Sequence, residues 1–353
     1  MVSVTVVAAR LAPYRRWLPS LGGRPRAGWL LSLEDSRGRV GRGDAACWPG
    51  FGSGAARTER ALRDLVRDGS LLGRTIDSID DVAALGLPRR EFPEASHAVE
   101  LAALDLLGRA HGRPVAALLE PHPAEAVPVH ALVDGPEDAA RAAARGLRHL
   151  KLKVGRAPLA EDAARLAAVR AAAPACALRL DANGAWATPS AALRALDALG
   201  RDGVEWVEQP LPAGKLAETR RLRRRAGVSL ALDEDAATAP LAALADAADV
   251  VVLKPMFLGG LLAALRRARD AAHLGLDVCV THALESAVGR AGALHLAASL
   301  SAPRACGLLS PYPEEPDGPR LRDGLLAVPP SPGLGVDASA PTPGLPSGHG
   351  RCA

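Results

Sequence analysis

Lysine is scarce in this chain. Lys151, Lys153, Lys215 and Lys254 are the only ones, against 39 arginines, and Asn183 and Gln209 are the sole residues of their types. An ammonium gives up its proton near neutral pH when its surroundings lower its pKa, and a guanidinium does not. The lysines are therefore candidate bases. Lys215, isolated in Ala-Gly-Lys-Leu, reads as a chance survivor. The others stand in Lys151-Leu152-Lys153 and Lys254-Pro255, and between them lie Asp181-Ala182-Asn183, Glu208-Gln209-Pro210 and Asp233-Glu234-Asp235. Three acidic side chains, Asp181, Glu208 and Asp233, with no His or Cys among them, suit a hard cation such as Mg²⁺ or Mn²⁺. Lys153 and Lys254 would flank that ion. A neighbouring positive charge disfavours the ammonium form and tunes a lysine toward general-base work. The cation in turn stabilises the charge left when a proton departs from a carbon beside a carboxylate.

These residues need elements that bring them together. Short apolar runs at 127–133, 149–154, 177–182, 204–208, 229–233, 250–254 and 277–281 read as strands. Ala/Leu/Arg-rich segments between them, such as 159–173, 190–199 and 261–274, have the length and propensity of amphipathic helices. Repeated βα units imply a parallel sheet, and a long series of them favours a closed barrel. No G-x-G-x-x-G follows the early strands, which weighs against a dinucleotide fold. Every charged group named above then falls at a strand's C-terminal end, where a barrel builds its active site. Residues two apart on a strand face the same side, so Lys151 and Lys153 both point into the barrel mouth.

The expected fold is α/β: a modified (β/α)₇β TIM-like barrel over residues 126–328, preceded by an α+β capping domain over 1–125. In the latter, strands are expected at 2–9, 29–34 and 39–44, a hairpin turn at Asp35-Ser36-Arg37-Gly38, and helices near 58–68 and 96–110. Residues 329–353 are rich in Pro, Gly and Ser and read largely as loop or disorder.

Composition narrows the function classes. Net charge is +4, from 43 Lys+Arg and 39 Asp+Glu, and it is dispersed, so no nucleic-acid footprint is expected. The basic cluster Arg220, Arg221, Arg223, Arg224 and Arg225 reads as the solvated face of a helix. The five cysteines, Cys47, Cys176, Cys279, Cys306 and Cys352, form no CxxC pair and suggest neither a disulfide framework nor a zinc site. The apolar start reads as a strand rather than a signal peptide, and no long charge-free apolar stretch suggests a membrane span. A cytoplasmic protein acting on a small-molecule carboxylate is expected, without nucleic-acid or membrane partners. The oligomeric state stays open, a homo-oligomer included.

Lys-Leu-Lys, Asp-Ala-Asn, Glu-Gln-Pro, Asp-Glu and Lys-Pro, in this order and spacing, resemble the muconate-lactonising-enzyme subgroup of the enolase superfamily. The resemblance covers the chain to about residue 335. Three further segments resemble the o-succinylbenzoate synthase family: Pro49-Gly50-Phe51-Gly52, the run Leu178-Arg179-Leu180-Asp181-Ala182-Asn183-Gly184-Ala185-Trp186, and Ala283-Leu284-Glu285-Ser286-Ala287-Val288-Gly289. Asp235 and His282 depart from it, standing where these enzymes often have serine. His282 reads as a structural or pocket-lining group.

The resemblance implies a Mg²⁺-dependent dehydratase of menaquinone biosynthesis. Asp181, Glu208 and Asp233 would hold the metal, Lys153 would remove the α-proton and return it to the departing hydroxide, and Lys151 and Lys254 would supply positive charge. Arg179, Asn183, Thr281, Ser286 and Gly289 are the implied substrate-binding residues, the last two at a helix start that favours anions. The Gly/Pro-rich loop at 18–26 and the turn at 49–52 would close over the substrate. Two alternatives stay open. An N-acylamino acid racemase or dipeptide epimerase would use Lys153 and Lys254 as opposed bases, although no Asp-x-Asp pair follows the eighth strand. A non-catalytic metabolite-binding barrel would keep the fold alone.

Overall fold

The run Val-Thr-Val-Val opens β1 (Val4–Leu18), which pairs antiparallel with β2 (Arg24–Asp35) along nearly its whole length. The computed structural model describes residues 3–18, 24–311 and 321–336. β1 runs well past the expected strand and through Pro13. The missing Pro N–H costs nothing there, because the other edge of β1 pairs only at Val4 and Thr5, with β4. β3 (Val40–Ala46) follows the expected hairpin, in which Asp35 Oδ1 accepts from the backbone N–H groups of Arg37 and Arg39 and Gly38 takes φ 75°.

After α1 (Ala55–Arg67), β4 (Thr75–Ile76) and α2 (Ile79–Ala84) comes α3 (Pro93–His111). The first sheet has the order β3-β2-β1-β4. α3 lies across it, so closely that a Cβ on Gly43 would stand 1.8 Å from the Ala98 carbonyl oxygen and one on Gly41 2.2 Å from that of Ala102. The helix starts earlier than expected because proline fits its first turn, and it ends at Gly112 in the left-handed region. Its other face meets the barrel: Glu100 Oε1 accepts from Leu262 N at 2.8 Å.

α4 (Val115–Leu119) and β5 (Ala126–Pro128) lead to the barrel. The expected single strand at 127–133 is divided. Ala126 to Pro128 pair with β14, Val129 N still donates to the Gly324 carbonyl at 3.0 Å, and the chain then resumes as β6 (Ala131–Val133) in a different sheet. Then follow α5 (Pro136–Ala144), β7 (His149–Lys153), α6 (Leu159–Ala172), β8 (Ala177–Asp181), α7 (Pro189–Leu199), β9 (Val204–Glu208), α8 (Leu216–Ala226) and β10 (Ser229–Leu232). A short 3-10 turn at Asp235–Ala237 precedes α9 (Leu241–Ala247), β11 (Val250–Leu253), α10 (Pro255–Leu258), α11 (Leu261–His273), β12 (Asp277–Val280) and α12 (Ala287–Ala298).

The strands β6 to β12 are parallel and lie side by side in chain order. The ring closes through Cys306 and Gly307, which bridge Val129 on one side and Thr281 on the other. This is the expected (β/α)₇β barrel, its last strand reduced to a bridge. Leu150 and Leu152 of β7 are buried against the helical layer, which turns Lys151 and Lys153 inward. A β-bulge on β9 beside Leu178 and Arg179 gives Glu205 an extra place in the ladder.

β13 (Leu321–Arg322) and β14 (Leu325–Ala327) complete a small antiparallel sheet with β5. Residues 329–336 lack regular elements beyond a bridge at Gly333, yet are fastened down: Leu334 is fully buried and its N–H donates to Asp105 Oδ1 at 2.7 Å. The rest of the expected disordered tail, 337–353, lies outside the described residues, as do 19–23 of the expected substrate-closing loop.

Candidate active site

Parallel register sets the site. Lys153, Asp181 and Glu208 are partners across β7, β8 and β9, and Glu208 pairs with Ala231, two residues short of Asp233. Lys151 Nζ lies 2.9 Å from Asp181 Oδ2 and 2.7 Å from Glu208 Oε1. Lys153 Nζ lies 3.1 Å from Asp181 Oδ2 and 2.6 Å from Asn183 Oδ1. Lys254, at the end of β11 and across the ring from β7, donates to Asp233 Oδ2.

Burial and charge oppose each other here. Burial pulls the Lys151 ammonium pKa down, but Asp181, Glu208 and Asp233 outweigh it and hold the group above its ordinary value. Asp181 is likewise buried, and Lys151 and Lys153 hold its carboxyl below the usual carboxylate range. Glu208 goes the other way, up to about 7, because burial is reinforced by the neighbouring Asp181 and Asp233 charges. Asp233 Oδ1 is buried without a hydrogen-bond partner.

Among the described residues no three such side chains stand close enough to coordinate one ion. Lys151 occupies the space between Asp181 and Glu208, and Lys254 holds Asp233. The donor set itself fits a hard divalent cation: three buried carboxylates at the ends of adjacent strands, one of them with an unpartnered oxygen. Such an ion would displace the lysines from these oxygens.

The expected substrate-binding residues fall in different places. Asn183 lies at the mouth, with φ 42°, accepting from Lys153 and donating to Glu234 Oε1 at 3.4 Å. Thr281 is buried at the end of β12, its hydroxyl without a partner. Arg179 is fully buried, the register partner of Lys151 and two residues before Asp181 on β8. It stacks 3.7 Å from the Trp206 ring and donates to Glu205 Oε2 at 2.8 Å and to the Ala305 carbonyl. Ser286 caps α12 as expected, but the anion it holds is Asp44 of β3: the Ser286 N–H donates at 2.8 Å and its hydroxyl at 2.5 Å to Asp44 Oδ2. Gly289 lies against the same carboxylate, 3.0 Å from where its Cβ would stand.

The two departures from the family pattern have structural work. Asp235 accepts from Gln209 Nε2 at 2.8 Å and from Gly214 N at 2.7 Å, tying the ends of β9 and β10. His282 Nδ1 accepts from Leu284 N and its Nε2 donates to the Leu309 carbonyl, each at 3.0 Å. Burial and the Arg290 charge push its pKa down to about 3, so it stays neutral.

Three features escape sequence reasoning. Tyr14 and Asp44 of the first sheet hydrogen-bond at 2.9 Å beneath the segment after β12. Arg26 donates to the Ala46 and Ala283 carbonyls at 2.9 and 2.6 Å, clamping sheet to barrel. Leu132 of β6 is the register partner of Lys151 and faces the mouth. Strand alternation could have placed Leu132; nothing local marks the other two. Phe51 of the expected closing turn stacks on Phe257 at 4.7 Å between ring centroids, and its ring centre lies 4.8 Å from Lys254 Nζ.

Comparison with known proteins agrees with this architecture. The family model described as Enolase C-terminal domain-like matches residues 136–341. An o-succinylbenzoate synthase of Thermobifida fusca is 44% identical over 194 residues, 52% of this chain and 59% of that protein. One of Mycobacterium ulcerans is 46% identical over 171 residues, half of its own length. The chain thus matches only about half to three-fifths of these curated relatives. An N-succinyl-L-Arg/Lys racemase of Bacillus cereus is 30% identical over 263 residues, 71% of each chain. Its crystal structure superimposes with a TM-score of 0.84 at 25% identity, covering 94% of this chain and 95% of that one. Muconate lactonizing enzyme from Pseudomonas putida gives 0.79 at 26% identity, covering 93% and 96%.

Proposed function

The chain belongs to the enolase C-terminal domain-like family, and on that premise we propose that it is a metal-dependent dehydratase, an o-succinylbenzoate synthase of menaquinone biosynthesis. The observation that carries this reading is the acid–base cluster at the barrel mouth: Lys153 beside Asp181, Lys151 between Asp181 and Glu208, and Lys254 on Asp233. The identity to o-succinylbenzoate synthases of Thermobifida fusca and Mycobacterium ulcerans supports the choice of reaction.

In this account Asp181, Glu208 and Asp233 hold Mg²⁺ or Mn²⁺. When bound, the cation supplies the positive charge that lets a proton leave a carbon beside a carboxylate. Lys153 Nζ takes up that α-proton. The electron pair left behind forms the new carbon–carbon double bond as the carbon–oxygen bond to the hydroxyl breaks. Lys153 then returns its proton to the departing hydroxide, and water leaves from the same face. Lys151 and Lys254 keep their protons and hold the negative charge that develops on the substrate carboxylate. The new double bond completes an aromatic ring, which drives the step. Asn183 Oδ1 accepts from the Lys153 amine at 2.6 Å and orients it. The site works on a soluble small-molecule carboxylate in the cytoplasm.

The test follows a cyclohexadiene carboxylate bearing a succinyl chain. Purified protein with Mg²⁺ should convert it to o-succinylbenzoate, with loss of diene absorbance that a chelator abolishes. No conversion by folded, metal-loaded protein overturns the proposal. A second reading, N-succinylamino acid racemisation, is favoured by one arrangement: Lys153 and Lys254 reach the mouth from opposite sides of the ring, as two opposed bases would. Exchange of the substrate α-proton with deuterated solvent identifies that activity.

A further inference from the structure

Around the barrel mouth the inward positions divide by chemistry. β7 to β11 contribute Lys151, Lys153, Asp181, Glu208, Asp233 and Lys254. β6, which closes the ring on the other side of Lys151, contributes Leu132. Its neighbours Ala131 and Val133 are 8% and 1% exposed against the helical layer, whereas Leu132 is 50% exposed. Register partners point to the same face of a sheet, so Leu132 points where Lys151 points. A leucine on the inner face of a barrel normally packs into the interior layers. This one is the register partner of Lys151 and has half its surface open. A second apolar wall, the stacked pair Phe51 and Phe257, lies against Lys254.

We propose that Leu132 is a specificity-determining residue, the apolar wall on which the carbocyclic body of the substrate lies while its carboxylate faces the lysines. The inference rests on the proposed dehydratase reading of this site and adds the residue that selects the flat, apolar ring of its substrate over a polar amino-acid chain. An apolar surface of this kind gains by covering a ring and gains nothing from a guanidinium or amide, which would lose water against it.

The test is calorimetric titration of the full chain, loaded with Mg²⁺, with o-succinylbenzoate and with N-succinyl-L-arginine. The unaltered chain should bind o-succinylbenzoate more tightly. Leu132→Ala and Leu132→Asn should weaken o-succinylbenzoate by about tenfold or more. Both should leave N-succinyl-L-arginine within about threefold, and Leu132→Met should restore the ring ligand to within about threefold. Circular dichroism of each variant checks the fold, and the half-open position of Leu132 spares the core. Equal binding of o-succinylbenzoate by Leu132→Asn and the unaltered chain overturns the inference. So does a failure of the unaltered chain to bind that ligand. Tight, Leu132-dependent binding of o-succinylbenzoate without turnover of the diene supports it while overturning the dehydratase.

Discussion

Lys153 Nζ lies 3.1 Å from Asp181 Oδ2, and the two residues are register partners across β7 and β8. Proposed base and proposed metal ligand are therefore placed by the same backbone ladder. A shift of either strand by one residue would turn its own residue away from the mouth and break the contact.

Replacing Lys153 tests the base. Lys153→Ala should lower kcat by about 10³-fold or more. The side chain is 26% exposed and supports no core packing, so the thermal midpoint should stay near that of the unaltered chain. Lys153→Arg should fail equally, since a guanidinium does not exchange protons at neutral pH. Near-normal turnover by either variant contradicts the assignment.

The carboxylates can be tested without turnover. Asp181→Ala should weaken Mn²⁺ binding, followed by electron paramagnetic resonance of the free ion, by about tenfold or more. An unchanged Mn²⁺ titration would remove Asp181 from the ligand set.

The Glu285 carboxyl is pushed up to about 7, first by burial and then by the adjacent Asp44, with Arg26 opposing. In the unfolded chain it titrates near 4.5. Below that pH both states hold the proton and folding carries no penalty. Between about 4.5 and 7 the unfolded chain loses its proton first, so stability falls as pH rises, by on the order of 3 kcal/mol. Across this window the urea midpoint of Glu285→Gln should rise, as pH rises, relative to that of the unaltered chain. Parallel profiles would show that Glu285 does not carry the effect.

Close approach of β3 to α3 predicts a cost at one glycine. A Cβ on Gly43 would stand 1.8 Å from the Ala98 carbonyl oxygen, a backbone atom that cannot swing aside. Gly43→Ala should cost about 3 kcal/mol or more. Gly86→Ala, whose nearest neighbour would be 3.5 Å away, serves as the control. Equal urea midpoints for the two variants would contradict the packing.

The charged half of the site is legible in the sequence because it is local. Lys151-Leu152-Lys153 declares by alternation which side chains face inward, and each acidic residue ends an apolar run that can only be a buried strand. The barrel is legible for the same reason, strand by strand. What is not legible is long-range. Asp44 meets Ser286 across 242 residues, and nothing beside either residue marks the other. Thus nothing local shows that the helix start expected to bind a substrate anion also bonds the Asp44 side chain of the first sheet. The division of the strand at 127–133 hides for another reason: Pro128 and Val129 look apolar and extended in either sheet, and only the pairing with β14 and Cys306 separates them. Leu132 is hidden because an apolar residue in a strand reads as core until register shows that it shares a face with Lys151.

The central claim is that this mouth eliminates water from a cyclic carboxylate. Its most direct measurement compares kcat/KM of one preparation, with Mg²⁺ in deuterated solvent, for the succinyl-cyclohexadiene carboxylate and for N-succinyl-L-arginine, by proton NMR. The account predicts conversion of the diene to o-succinylbenzoate with the larger kcat/KM, dependent on Lys153. Faster α-deuteration of N-succinyl-L-arginine, with the diene left unconverted beyond its uncatalysed rate, would contradict it.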